Sequence, residues 1–274
     1  MSRTIAEKRA AFRALHTAGC FVLPNPWDVG SARFLASLGF QAIATTSSGF
    51  AWSTGHADNH VTRDTVIGHL KTMVEATDLP VNADFENGFG VGPDDVAESV
   101  KLAIATGVAG LSIEDATGDA THPLFPVDVA VARLAAARRA IDESGDDVLL
   151  IGRAENFVAG APDLADTLVR IKAYAEAGAD CLYAPGIQTR AQIEAVVTAV
   201  APKPVNILIG SSSDFTVKDL ATLGVRRISV GGALARASWG GFMRAAQSLA
   251  DGRFDGFAEA ASGAKLNALF GAVD

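Results

Sequence analysis

Two periodicities alternate along this chain. Short runs of apolar residues rich in Val, Ile and Ala are separated by longer stretches in which apolar residues return every three to four positions. The junctions follow a rule: Gly19 precedes CFVLP, Gly39 precedes FQAIATT, Gly107 precedes VAGLSIED, Gly178 precedes ADCLYAP and Gly224 precedes VRRISVGG. A residue just past a helix often takes the left-handed conformation that a Cβ penalises, so each glycine marks a helix-to-strand turn. VNADFE (81–86), VLLIGRAE (148–155) and VNILIG (205–210) complete a set of eight strands.

In the longer stretches, Leu164, Leu168, Ile171 and Ala175 fall on one helix face, with Arg170, Lys172 and Glu176 elsewhere. Pro93 before Asp94 and Asp95, and Ser213 or Asp214 before FTVKDLATL, supply helix-start chemistry. Asp28 in NPWDVGSA reads as an N-cap. Short Val- and Ile-rich strands alternating with helices predict a parallel sheet covered by helices. The expected fold is α/β, a (βα)8 TIM-type barrel filling residues 1–274 as one domain, with a doubly wound open sheet as the alternative. A helix over 4–18 precedes the first strand. Another, over 255–271, follows the eighth unit and carries Phe257, Leu266, Leu269 and Phe270, with Phe254 just before it. So much apolar surface beyond a finished barrel points to a partner subunit.

The 274 residues are 49% hydrophobic and 20% charged, enough apolar material for one large core. With 23 Lys+Arg against 31 Asp+Glu, a formal net charge of −8 and no basic run, a nucleic-acid partner is not expected. No apolar stretch reads as a membrane span or a secretory leader. Cys20 and Cys181 lie far apart in apolar surroundings, which suits a reducing, cytoplasmic setting.

In such barrels the active site lies at the C-terminal strand ends, and here these ends are acidic. Strand 2 runs into a loop with Ser47, Ser48, Gly49 and Asp58; strand 3 ends in Asp84 and Glu86, strand 4 in Glu114 and Asp115, strand 5 in Arg153 and Glu155. Strand alternation points Asp84 and Glu86 the same way and brings Glu114 beside them, while Asp115 faces away. Converging carboxylates repel unless protonated or bridged by a cation. An all-oxygen donor set selects Mg²⁺, with Mn²⁺ as the other hard candidate. The plainer alternative is an ion pair of Asp84 and Glu86 with Arg153. Arg153 otherwise offers a planar fork to an anionic substrate group, with Glu155 orienting it. The SSG segment adds backbone N–H groups. A rival reading takes the Gly/Ser-rich segments ILIGSSSD and SVGGALAR, with Gly231 and Gly232, as a phosphate site.

Four segments in order, PNPWDVGSARFLASLGFQAIATTSSG, NADFENGFG, EDA (114–116) and GRAENF (152–157), resemble the isocitrate lyase and phosphoenolpyruvate mutase superfamily over nearly the full length. The resemblance implies a Mg²⁺-dependent (βα)8 enzyme, a homotetramer of dimers that exchange the C-terminal helix. It implies that Asp84 binds the metal directly while Asp58, Glu86 and Glu114 hold its waters. Ser47, Ser48 and Gly49 then clamp a carboxylate, and Arg153 binds the substrate's acid group. The loop after strand 4, TGDATHPLFP, lacks the lysine and cysteine of the family's lyases and the lysine and asparagine of its mutases; Asp119, Thr121 and His122 are its candidates for proton transfer. The expected activity is carbon–carbon cleavage of a small 2-oxo or 2-hydroxy carboxylate through an enolate, with Arg153, Glu114 and His122 as catalytic groups. Carbon–phosphorus chemistry of the phosphonomutase or phosphonopyruvate hydrolase type, and non-catalytic binding of 2-oxo acids, are the alternatives.

Overall fold

All five junction glycines adopt positive φ, between 74° and 102°, and behind each the chain enters a strand. The computed structural model describes residues 2–271. In chain order the elements are α1 (Ile5–Leu15), β1 (Phe21–Leu23), α2 (Val29–Ser37), β2 (Ile43–Ala44), α3 (Ser47–Ser53), α4 (Arg63–Glu75) and β3 (Val81–Asp84). There follow α5 (Pro93–Ala105), β4 (Gly110–Glu114), α6 (Val127–Ser144), β5 (Leu149–Arg153), α7 (Leu164–Glu176) and β6 (Cys181–Tyr183). The chain continues through α8 (Arg190–Val200), β7 (Val205–Leu208), α9 (Val217–Thr222), β8 (Arg227–Ser229), α10 (Ala233–Ala250) and α11 (Gly263–Phe270). All eight strands form one parallel sheet in the order β1-β8-β7-β6-β5-β4-β3-β2. A backbone bond from Ala44 N–H to the Pro24 carbonyl, 3.0 Å, bridges its two ends, so the sheet is a nearly closed (βα)8 barrel.

The core has two shells. Leu111, Ile113, Leu150 and Leu182 face outward into the layer between strands and helices, as alternation requires. Phe21, Leu23, Leu149, Ile151 and Cys181 point inward, where Phe12 of α1 closes the N-terminal end. Gly110 admits that plug: a Cβ there would lie 2.7 Å from the Phe12 ring. Lys8 and Arg9 fasten α1 by donating to the carbonyls of Val74 and Val108, both at 3.0 Å. With one end stoppered, only the C-terminal end is open.

Several local expectations are corrected. The first helix is shorter than 4–18: Thr4 is its N-cap, in a capping box with Glu7, and His16 ends it. Asp28 caps α2 as expected, but α9 is capped by Thr216 rather than Ser213 or Asp214. The helix expected over 255–271 is broken into a 3₁₀ turn at Asp255–Phe257 and α11. Gly256 packs so tightly on α10 that a Cβ would lie 2.9 Å from Ala245, and Ser262 starts the second piece. Arg170, expected off the apolar face of α7, is nonetheless buried. Among the described residues no helix is long and apolar enough to cross a membrane.

Candidate active site

The strand register stacks the inward side chains in layers. Asp84 pairs with Ser112 across β3 and β4, while Glu114, Arg153 and Tyr183 fall in register across β4, β5 and β6. Above them lies a cavity of about 470 Å³, walled by the β2, β4 and β8 loops. Asp58, Asp84, Glu114 and Glu155 line it together with Ser47, Ser48, Arg153 and Arg227.

Arg153 is the hub. Its Nη1 donates to Asp84 Oδ1 at 2.6 Å, Nη2 lies 3.0 Å from Glu114 Oε2, and Nε donates to Glu155 Oε1 at 2.9 Å. Its guanidinium also lies over the Tyr183 ring, 5.0 Å from the centroid. One cation cannot neutralise three buried carboxylates. Burial raises Glu114 well above the ordinary carboxylate range despite Arg153, and it raises Glu155 in the same direction. The plainer expectation is realised for Asp84, which does pair with Arg153, and is extended by Glu114 and Glu155.

Glu86 enters differently. Alternation ends at Asp84, and Glu86 sits in a left-handed turn with φ 48°. Its carbonyl accepts from Glu114 N–H at 3.0 Å, continuing the β3–β4 pairing past the strand. Burial first, then Asp84 and Asp58, push its carboxyl up to about 8. Burial likewise raises Asp58, against the hydrogen bond its carboxylate receives from Ser47.

Ser47, Ser48 and Gly49 form the first turn of α3 rather than a loop, capped by Thr46. Ser47 N–H donates to Asp84 Oδ2 at 2.9 Å, so both Asp84 oxygens are engaged. Gly49 serves packing: a Cβ would lie 2.7 Å from Thr46 and 3.0 Å from Trp27. Of the groups in the phosphate reading, the N–H of Gly231 is already engaged: it and the N–H of Val230 both donate to Asn25 Oδ1 at 2.9 Å. His122 lies outside the cavity wall, its side chain 83% exposed with Nδ1 3.0 Å from Thr121 Oγ1; Asp119 of the same loop lines the cavity.

Asp115 faces away from the cavity, as alternation requires. It accepts from Glu155 N–H at 2.8 Å, from Arg170 at 3.0 Å and from the Tyr174 hydroxyl. Sequence reasoning passed over Asn25, Tyr183 and Arg227, which line the cavity too. Continuing the inward count along β6 and β8 finds the last two. Burial pushes the Tyr183 hydroxyl up to about 12, so it is neutral.

A hard cation suits the chemistry of these donors, since carboxylates outnumber guanidiniums and two of them, Glu86 and Asp58, are disfavoured as anions partly by Asp84. Among the described residues no three Asp, Glu, His or Cys side chains are gathered closely enough to enclose a metal ion by themselves.

A family model described as phosphoenolpyruvate phosphomutase matches residues 12–250. An uncharacterized protein of Mycobacterium tuberculosis strain H37Rv is 34% identical over 245 residues, 88% of this chain and 90% of its own. An oxaloacetate decarboxylase of Rhodopseudomonas palustris strain BisB18 is 28% identical over 235 residues, 83% and 78% of the two chains. A crystal structure from Burkholderia cenocepacia J2315, bearing a provisional lyase/mutase designation, superposes with a TM-score of 0.95 at 48% identity over 98% of both chains.

Proposed function

This chain belongs to the phosphoenolpyruvate phosphomutase family, a group of lyases and mutases, and from that premise we propose that its cavity binds Mg²⁺ and a small 2-oxo or 2-hydroxy carboxylate and cleaves a carbon–carbon bond beside the carbonyl. The observation that carries this reading is the convergence of Asp84, Glu114 and Glu155 on Arg153 at the open end of the barrel. Asp84 would hold the ion, with Asp58, Glu86 and Glu114 around its waters. When bound, the ion polarises the substrate carbonyl and eases the build-up of negative charge toward an enolate.

The chain's own residues do the rest. Arg153 presents donors to an acid group of the substrate, and Glu155 and Tyr183 fix its plane. Ser47 and Ser48, at the start of α3, offer polar groups to a carboxylate. Glu114, which burial raises above the ordinary carboxylate range, is placed to hand on a proton where charge develops. Asp119, at the cavity wall, is closer to this chemistry than the exposed His122. The oxaloacetate decarboxylase among the relatives favours carbon–carbon over carbon–phosphorus cleavage, and the two free thiols, Cys20 and Cys181, suit a cytosolic setting.

Two measurements test the reading. Calorimetric titration of oxalate is expected to show binding only with Mg²⁺, and Asp84→Ala is expected to abolish it; undiminished affinity in that variant sinks the metal assignment. Turnover is expected with oxaloacetate or a substituted malate. Product from phosphonopyruvate alone would favour carbon–phosphorus chemistry, and saturable binding of all three without product would make the chain a binder.

A further inference from the structure

Arg227 is a cavity residue for which this reading has no task. It enters the barrel interior from β8, is 2% exposed, and lines the cavity floor. Its Nε donates to Asn206 Oδ1 at 2.9 Å and its Nη1 reaches Asn82 Oδ1 at 3.4 Å, while Asn206 donates onward to Ser229 Oγ at 2.9 Å. These partners are neutral. Of the titratable groups around it, His16 is driven down to about 3 by burial, and burial raises the Cys181 thiol and the Tyr183 hydroxyl, so these are neutral too; Asp84 and Arg153 act on it only through space and with opposite signs.

No carboxylate among the described residues lies within ion-pair distance of Arg227, whereas Arg153 has three. A guanidinium carries five N–H donors, and the two asparagines occupy two. A buried charge with unused donors and no carboxylate in direct contact is costly, unless a ligand supplies the partner.

We propose that Arg227 is a second anion-binding subsite at the floor of the cavity, which takes one acid group of a dianionic substrate while Arg153 and the start of α3 take the other. This rests on the cavity being a 2-oxo or 2-hydroxy acid site and narrows its ligand to acids with a second carboxylate or a phosphonate. Asn206 and Asn82 hold the plane of the guanidinium, as a fork must be held to meet a carboxylate through two bonds.

The test compares acids that differ only in the far group: malate against 2-hydroxybutyrate, and 2-oxoglutarate against 2-oxovalerate, titrated by calorimetry with saturating Mg²⁺ and with oxalate as control. In the wild type, the dicarboxylate of at least one pair is expected to bind about tenfold tighter or more. Arg227→Gln is expected to remove that preference and leave the monocarboxylate and oxalate affinities unchanged. A fork that merely ties β3 to β7 lowers the melting temperature but leaves the ratio where it was.

The subsite is overturned if the preference survives in Arg227→Gln, or if oxalate binds but neither pair shows a preference. Failure of oxalate and all four acids to bind the wild type would instead bring down the underlying reading. If Arg227→Gln does not fold, Arg227→Lys carries the test: it keeps a charge but not the fork, and is expected to weaken the dicarboxylate alone. Wild-type affinity for both members of a pair in that variant overturns the subsite.

Discussion

Glu86 shows how one backbone angle changes a site. Were β3 to continue, Glu86 would stand beside Asp84 on the inner face; with φ at 48° it leaves the main cavity wall and is buried in a small pocket that it shares with Asp84, Ser47 and His69, its carboxyl raised to about 8. Without metal this has a sign. Between the ordinary carboxylate value and about 8 the folded state binds more protons than the unfolded chain, so stability falls as pH rises through that window and levels off above it. We expect the melting temperature of chelator-treated protein to drop from pH 5 to pH 8, by the equivalent of roughly a few kcal/mol. Glu86→Gln should flatten part of that slope, the remainder belonging to Glu114 and Glu155, which shift in the same direction. A melting temperature that climbs over this range in metal-free protein would contradict the assignment. Mg²⁺ should reverse the trend, since it favours the ionised carboxylates.

At the scale of elements, Asp115 and Arg170 join parts of the chain that the one-dimensional pattern keeps separate. Arg170 of α7 bonds Asp115 behind β4, Asp166 one turn earlier at 2.6 Å, and the carbonyl of Phe125 at 2.9 Å, where the loop over the cavity enters α6. Asp115 in turn holds Glu155 N–H, setting the strand end from which Glu155 reaches Arg153. Arg170→Ala leaves Asp115 buried and underpaired, and should cost about 3–5 kcal/mol in chemical denaturation. It should also speed amide exchange across 117–125; unchanged exchange there would show that the loop does not depend on α7. This linkage marks where sequence reading runs out. Eight strands, the junction glycines and the acids at the strand ends were legible because period and turn chemistry are local. The helical pattern sets Arg170 off the apolar face and gives no sign of its burial, because its decisive partner is 55 positions away. Arg227 is not legible at the C-terminal strand ends, because its long side chain reaches the cavity from the first residue of β8. The final helix was drawn too long because the close seat of Gly256 on α10 is tertiary information.

For the whole molecule, the unequal covering of its apolar surface matters most. On α10, Phe242 and Met243 are 62% and 63% exposed, and Phe254 beyond it is 71% exposed, with Trp239, Leu249 and Phe257 also open to solvent. Burying each such side chain would stabilise an interface by roughly 1.5–3 kcal/mol. α11 touches the barrel at α2, where Phe270 packs beside Gly30, and otherwise presents Leu266 outward. We propose that together these residues make a face for a second copy of the chain, the homotetramer being what the family resemblance implies. Sedimentation velocity at micromolar concentration should therefore show an oligomer, and the double substitution Phe242→Asp with Met243→Asp should yield monomers. A wild-type protein that sediments as a monomer would remove the face from consideration. The monomeric variant is informative in its own right. Asp84, Glu114, Arg153 and Arg227 all come from one barrel, so Mg²⁺-dependent binding of oxalate should persist in it, and a parallel loss of binding would mean that the partner completes the cavity.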